Sequence, residues 1–156
     1  MSDEAPLLVG HSAWADLARP PAGVALAREE GRLDAAEYAA LVRSAGLDRP
    51  VDDPPRMAAM LAGSNLVVTA RDEATGRLLG AARSVTDFAW CCYLSDLCVE
   101  KARQRGGIGR LLVAETKRVV GPGCMVLLLS TPSAMGYYPR LGMERVPNGF
   151  LIRRDG

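Results

Sequence analysis

The sequence predicts an α/β fold of the mixed α+β kind: a mixed, mostly antiparallel sheet with helices on both faces. Three observations lead there. A single strand-like run is followed by two amphipathic helical patterns. β-patterned segments joined by short turns come next, which implies antiparallel pairing. A strand, a glycine-rich turn, a helix and a second strand then imply one right-handed crossover between parallel strands.

The elements follow in order. Residues 1–22 read as a peripheral arm closed by Pro20-Pro21, with a helical turn near Ala13–Ala18, and residues 23–156 as one domain. Val24–Arg28 is the first strand. Asp34–Ala45 is a helix: Asp34 suits the N-cap, Glu37 completes a capping-box variant, and Leu33 and Tyr38 form a hydrophobic staple. Tyr38, Leu41, Val42 and Ala45 share one face, and Gly46 ends the helix. A second helix spans Pro54–Ala62, capped by Asp53, with Met57, Met60 and Leu61 inward. Leu66–Arg71 and Leu78–Thr86 are strands joined by the turn Asp72–Gly76. Trp90–Val99 is long and mostly apolar, hence central. Gly107–Val120 is a helix whose buried arc holds Ile108, Leu112, Thr116 and Val119, with Val113 and Val120 beside it. Met125–Ser130 is a short strand, a short helix runs through Tyr138, and Met143–Pro147 and Phe150–Arg153 read as closing strands.

Composition limits the function. At 156 residues the chain can bury a real core. A net charge of +1 argues against a nucleic-acid partner. Met1–Gly10 lacks a basic start and a long apolar stretch, and no run approaches membrane-spanning length, so no membrane partner and a cytoplasmic location are expected. The cysteines, Cys91, Cys92, Cys98 and Cys124, form no C-x-x-C, and His11 is the only histidine. No metal is expected, and the cysteines read as reduced core residues.

The chemistry centres on Gln104-Arg105-Gly106-Gly107-Ile108-Gly109-Arg110. A glycine-rich turn between a strand end and a helix start leaves backbone N–H groups unpaired at the positive end of the helix dipole. With Arg103, Arg105 and Arg110 nearby, that predicts a phosphate or pyrophosphate site. A P-loop requires Lys-Ser/Thr where Arg110-Leu111 stands. A dinucleotide fingerprint requires a third glycine where Leu112 stands, on a first parallel strand.

Gln104-x-x-Gly107-x-Gly109, after Val99 and before Leu111-Leu112, resembles the coenzyme A loop of the GCN5-related N-acetyltransferases (GNAT). Ala134-Met-Gly-Tyr137-Tyr138-Pro-Arg-Leu141-Gly142-Met143 resembles that family's A-x-x-F-Y-x-x-L-G-F segment. The likeness covers Leu66–Gly142. It implies acetyl-CoA as co-substrate, with the backbone of Gln104–Arg110 on the pyrophosphate. It implies that Leu97, Cys98 and Val99 pair their backbone with the pantetheine arm, between parallel strands that splay at a bulge. It implies Tyr138 as the acid that protonates the leaving thiolate. It also implies Thr131 and Tyr137 as cofactor-binding residues, although Thr131 stands where many members have asparagine, and Tyr137 and Met143 replace phenylalanines. Pro139 disfavours helical geometry at Tyr138.

Other roles come from residue chemistry. A backbone N–H near Val99 can polarise the thioester carbonyl. Asp96, a carboxylate within an apolar strand, is a candidate base or amine-binding group whose pKa burial would raise, unless Ser95 or backbone holds it or a water chain replaces it. Acceptor selection falls to the loops Leu47–Asp53 and Thr86–Trp90 and to the C-terminal strands. Asp52, Asp53 and Asp87 suit a cationic amine, although Asp53 also reads as a helix cap; Arg49 and Arg56 leave a carboxylate-bearing acceptor open. The expectation is an N-acetyltransferase acting on a primary amine of a small molecule, with a homodimer plausible. The alternatives are a coenzyme A-binding regulatory domain without turnover and a protein or peptide N-acetyltransferase.

Overall fold

The computed structural model describes Trp14 and residues 16–156. The chain forms two compact units, one within Gly10–Leu129 and one comprising Ser130–Gly156. Most of the expected N-terminal arm lies outside the described residues. Within it, Trp14, Asp16 and Leu17 are helical, and Trp14 is buried.

The first unit is built on five strands: β1 (Val24–Arg28), β2 (Leu66–Asp72), β3 (Leu78–Thr86), β4 (Cys91–Val99) and β5 (Met125–Leu127). They lie side by side in chain order. The first four pair antiparallel, while β4 and β5 pair parallel. The helices are α1 (Ala35–Ala45) and α2 (Pro54–Ala62) between β1 and β2, and α3 (Ile108–Val120) between β4 and β5.

Local chemistry sets the helix ends. Asp34 accepts a hydrogen bond from the Glu37 N–H at 2.9 Å, and Gly46 closes α1 at φ 73°. The capping box, however, is half made. The Glu37 carboxylate pairs with Arg71 of β2 at 2.6 Å, because a strand guanidinium offers it a stronger, charge-assisted bond than its own N-cap amide. Asp53 caps α2 through the Arg56 N–H.

The sheet's two faces are covered by different helices. Leu33, Tyr38, Leu41, Val42, Met57 and Leu61 pack with Val67, Ala81 and Cys98 on one face. Next to Ala81, Gly80 turns to the other face, since strand side chains alternate. A Cβ on Gly80 would stand 3.0 Å from Ile108 Cγ2 and from Leu112 Cδ1, and 3.1 Å from the Cys98 carbonyl oxygen. Gly80 is therefore where α3 seats against the sheet. The buried arc of α3 is wider than its periodicity predicts: Leu111 and Ala114 are buried as well, and Val119 is only half-buried.

Three cysteines are buried, but Cys91 is exposed, because the odd-numbered residues that open β4 point outward. Trp90 lies just outside the strand and is exposed.

The second unit holds a 3₁₀ turn, Pro132–Ala134, and a short helix, α4 (Tyr137–Arg140). Tyr138 is helical despite Pro139. The proline falls within the first turn, where its missing N–H has no intrahelical acceptor to lose. The expected strands Met143–Pro147 and Phe150–Arg153 do not form. A strand requires a hydrogen-bonded neighbour, and these segments, broken by Pro147 and Gly149, have none among the described residues. Phe150 and Ile152 are fully exposed. The strand expected over Met125–Ser130 stops at Leu127.

Replacing Gly80 by alanine should destabilise the protein by about 1–3 kcal/mol through overpacking against α3. Urea unfolding checks this; an unchanged midpoint would contradict the close seating of α3.

Candidate functional site

The glycine loop lies where a strand end meets a helix start. After β4, residues Lys101–Arg103 make one 3₁₀ turn, and Arg105 and Gly107 take left-handed backbone conformations at φ 68° and 87°. Gly107 is the N-cap of α3 and offers no side chain to its first turn. The 13-residue helix thus begins with uncapped N–H groups, as an anion-binding terminus does. An added Cβ at Gly107 would meet no neighbouring atom, so glycine is favoured there by the backbone angle alone. Gln104, Arg105, Gly106 and Arg110 are exposed, and Ile108 is buried as the anchor of the turn. The Gln104 side chain donates to the Val99 carbonyl at 3.0 Å, tying the loop to the end of β4.

The parallel pairing is short. β4 meets β5 only at Cys91–Met125, Cys92–Val126 and Tyr93–Leu127. On its other side β4 pairs with β3 from Cys92 to Val99, except that Ser95 is an extra residue, a bulge between Leu94 and Asp96. From Leu94 onward β4 has no strand partner on the β5 side among the described residues. Leu97 and Val99 are half-buried there, whereas the Cys98 side chain is buried among α1 residues and its thiol is pushed up to about 12 by burial. Cys98 can therefore offer a ligand backbone only.

Asp96 is the least exposed charged group of the site. Its Oδ1 accepts from Arg49 Nε at 2.6 Å and its Oδ2 from Arg83 Nε at 2.6 Å and from the Tyr38 hydroxyl. Arg83 also donates to Ser64 Oγ and Ser95 Oγ, each at 2.9 Å. Burial alone would raise the Asp96 carboxyl; hydrogen bonds and charge from Arg83, with help from Tyr38 and Arg49, outweigh it and hold the group below the usual carboxylate range. The same burial and the Asp96 charge push the Tyr38 phenol far up, so it stays protonated. The rise in pKa that the sequence leads one to expect for Asp96 is thus reversed, and three of its lone pairs are engaged.

The other acidic candidates are also engaged. Asp52 pairs with Arg43 at 2.7 Å, and Asp53 caps α2. Asp87 accepts from the backbone of Ala89, Trp90 and Cys91, which lowers its carboxyl to about 2. Each shapes a turn. Sequence reasoning missed Arg83 and Tyr38 as partners of Asp96. A signal was present: Arg83 and Asp96 are opposite charges in neighbouring apolar strands, and they face each other in register.

Thr131, Tyr137 and Tyr138 belong to the second unit. The two tyrosine rings meet edge-to-face, 5.2 Å between centroids. Burial, then Tyr137, raises the Tyr138 phenol, so it holds its proton at neutral pH. Among the described residues no group of three His, Cys, Asp or Glu side chains could hold a metal, and no helix is long and apolar enough to cross a membrane.

A sequence model of the acetyltransferase (GNAT) domain matches residues 63–145, more than half of the chain. The protein is a member of the GNAT acetyltransferase family. No curated protein matches it. Solved structures agree on the fold. A protein of Deinococcus radiodurans R1, provisionally assigned as an acetyltransferase, superposes with a TM-score of 0.68 at 21% identity, over 86% of this chain and 92% of that one. A GNAT acetyltransferase of Streptococcus pneumoniae TIGR4 gives 0.63 at 20%, over 85% and 99%. An aminoglycoside acetyltransferase from an uncultured soil metagenomic sample, solved with sisomicin, gives 0.58 at 19%, over 85% and 97%. Like other GNAT acetyltransferases, this fold is one that uses acetyl-CoA, and the uncapped α3 terminus and the unpaired stretch of β4 fit that group.

Two measurements follow from the Asp96 cluster. Asp96→Asn leaves the buried Arg83 and the partly exposed Arg49 without their charge partner and should cost about 3–5 kcal/mol in urea unfolding at pH 7. The folded carboxyl lies below its unfolded value of about 3.9. Its contribution is therefore complete above about pH 4 and is lost as pH falls through the folded value. Below pH 4 the stability of the wild type should fall more steeply than that of Asp96→Asn; parallel slopes would contradict the assignment.

Proposed function

We propose that the protein transfers an acetyl group from acetyl-CoA to a primary amine of a small-molecule acceptor, by direct attack within a ternary complex. The observation that carries this reading is the pairing of β4: it loses β5 after Tyr93, beside an α3 terminus with free N–H groups. Backbone groups of Gln104–Arg110 hold the pyrophosphate, and those of Leu97 and Val99 hold the pantetheine arm as an added strand. Bound acetyl-CoA supplies a thioester: the amine nitrogen forms the new C–N bond, the C–S bond breaks, and coenzyme A leaves as the thiol. A backbone N–H near Val99 polarises the carbonyl. Tyr138, protonated at neutral pH, gives its proton to the departing sulfur. Asp96, held ionised by its arginine partners, is given no proton to carry, and the amine's proton leaves to water.

Isothermal titration should show binding of acetyl-CoA, and an amine panel should release thiol. Absence of acetyl-CoA binding rejects the reading; binding with no release across small amines and peptides favours a regulatory coenzyme A domain. Tyr138→Phe should lower turnover at saturating substrates by roughly a hundredfold, and undiminished turnover removes Tyr138 as the acid.

A further inference from the structure

The Asp96 cluster carries more positive than negative charge. Two guanidinium groups, Arg49 and Arg83, meet one carboxylate, and the Tyr38 phenol is neutral. Arg83 is buried and its contacts are internal. Arg49 differs: its side chain is 25% exposed, on the loop between α1 and α2. Its position is fixed all the same. Nε donates to Asp96 Oδ1 at 2.6 Å, one terminal nitrogen to the Asp48 carbonyl at 2.6 Å, and the other to the Ser95 carbonyl at 2.8 Å. A guanidinium has five N–H groups. These three bonds leave one N–H on each terminal nitrogen for a carboxylate to accept.

The setting adds to this. Ser95 is the bulge of β4, and its carbonyl holds Arg49 at the point where β4 parts from β5. The acids of the surrounding loop do not neutralise Arg49: Asp48 offers its backbone carbonyl, Asp52 pairs with Arg43, and Asp53 caps α2. A rigid, half-exposed cation with two donors to spare recognises an anion with little entropy lost on binding.

We infer that Arg49 binds a carboxylate of the acceptor, so that the acceptor is a small amine that also bears a carboxylate, an amino acid in the broad sense. This rests on the acetyl-transfer reading above. The carboxylate undergoes no bond change; it anchors the molecule while its amine attacks. A polycationic acceptor such as an aminoglycoside does not suit this cation.

The test compares free amino acids with their amides, which keep the amine and lose the anionic carboxylate. Thiol release from acetyl-CoA should be roughly ten- to hundredfold more efficient with the acids, chiefly through KM. Arg49→Gln should abolish that preference, while its acetyl-CoA affinity, read by isothermal titration, stays at the wild-type value. A second readout is free of turnover: with coenzyme A present, N-acetyl-amino acids should bind the wild type more tightly than the N-acetyl-amino-acid amides. Wild-type turnover with no acid-over-amide preference, or a preference that survives in Arg49→Gln, overturns the role of Arg49 and leaves acetyl transfer standing. Loss of acetyl-CoA binding by the wild type overturns both. If Arg49→Gln does not fold, the wild-type comparisons decide alone.

Discussion

The buried pairing of Arg83 with Asp96 is the constraint on which the functional half of the sheet depends. A carboxylate with no exposure to water must be matched by charge and by hydrogen bonds, or the fold loses several kilocalories per mole. The match is assembled from four places in the chain. Tyr38 comes from α1, Arg49 from the loop after it, Arg83 from β3 and Asp96 from β4. One carboxylate thereby fixes the register of β3 against β4, the seat of α1 on the sheet and the position of the α1–α2 loop.

That geometry also places the bulge. Ser95 is inserted next to Asp96, and its hydroxyl and carbonyl are both used: Oγ accepts from Arg83, and the carbonyl accepts from Arg49. A bulged strand twists and leaves the ladder of its neighbour. Here β4 stops pairing with β5 two residues before Ser95. The opening in the sheet and the cation at its mouth therefore share one origin. The other face of the sheet serves a different purpose. Gly80 allows α3 to sit close, and the position of α3 decides where the glycine loop ends and its free N–H groups lie.

Much of this was legible in the sequence, for local reasons. The caps Asp34 and Asp53, the stop at Gly46, the hairpin turns and the helical arc of α3 depend on neighbours within a few residues. The loop Gln104–Arg110 was equally readable, since its backbone angles and its place before a helix are local. Asp96 stood out as an unusual buried acid, but its pKa moves opposite to the expected direction. Burial by itself raises a carboxylate pKa, whereas two arginines distant in sequence reverse the sign. The closing strands failed for a related reason. A local run of residues can suit a sheet; it cannot supply the neighbouring edge.

The sequence by itself determined the element order as far as β5, the family and the glycine turn before α3, because periodicity, caps and glycine positions act over short range. The tertiary structure decided which charges meet. Arg49, Arg83 and Tyr38 lie 47, 13 and 58 residues from Asp96. Only folding brings them within hydrogen-bonding distance, where desolvation makes each contact strong enough to set the ionisation state of the group at the centre.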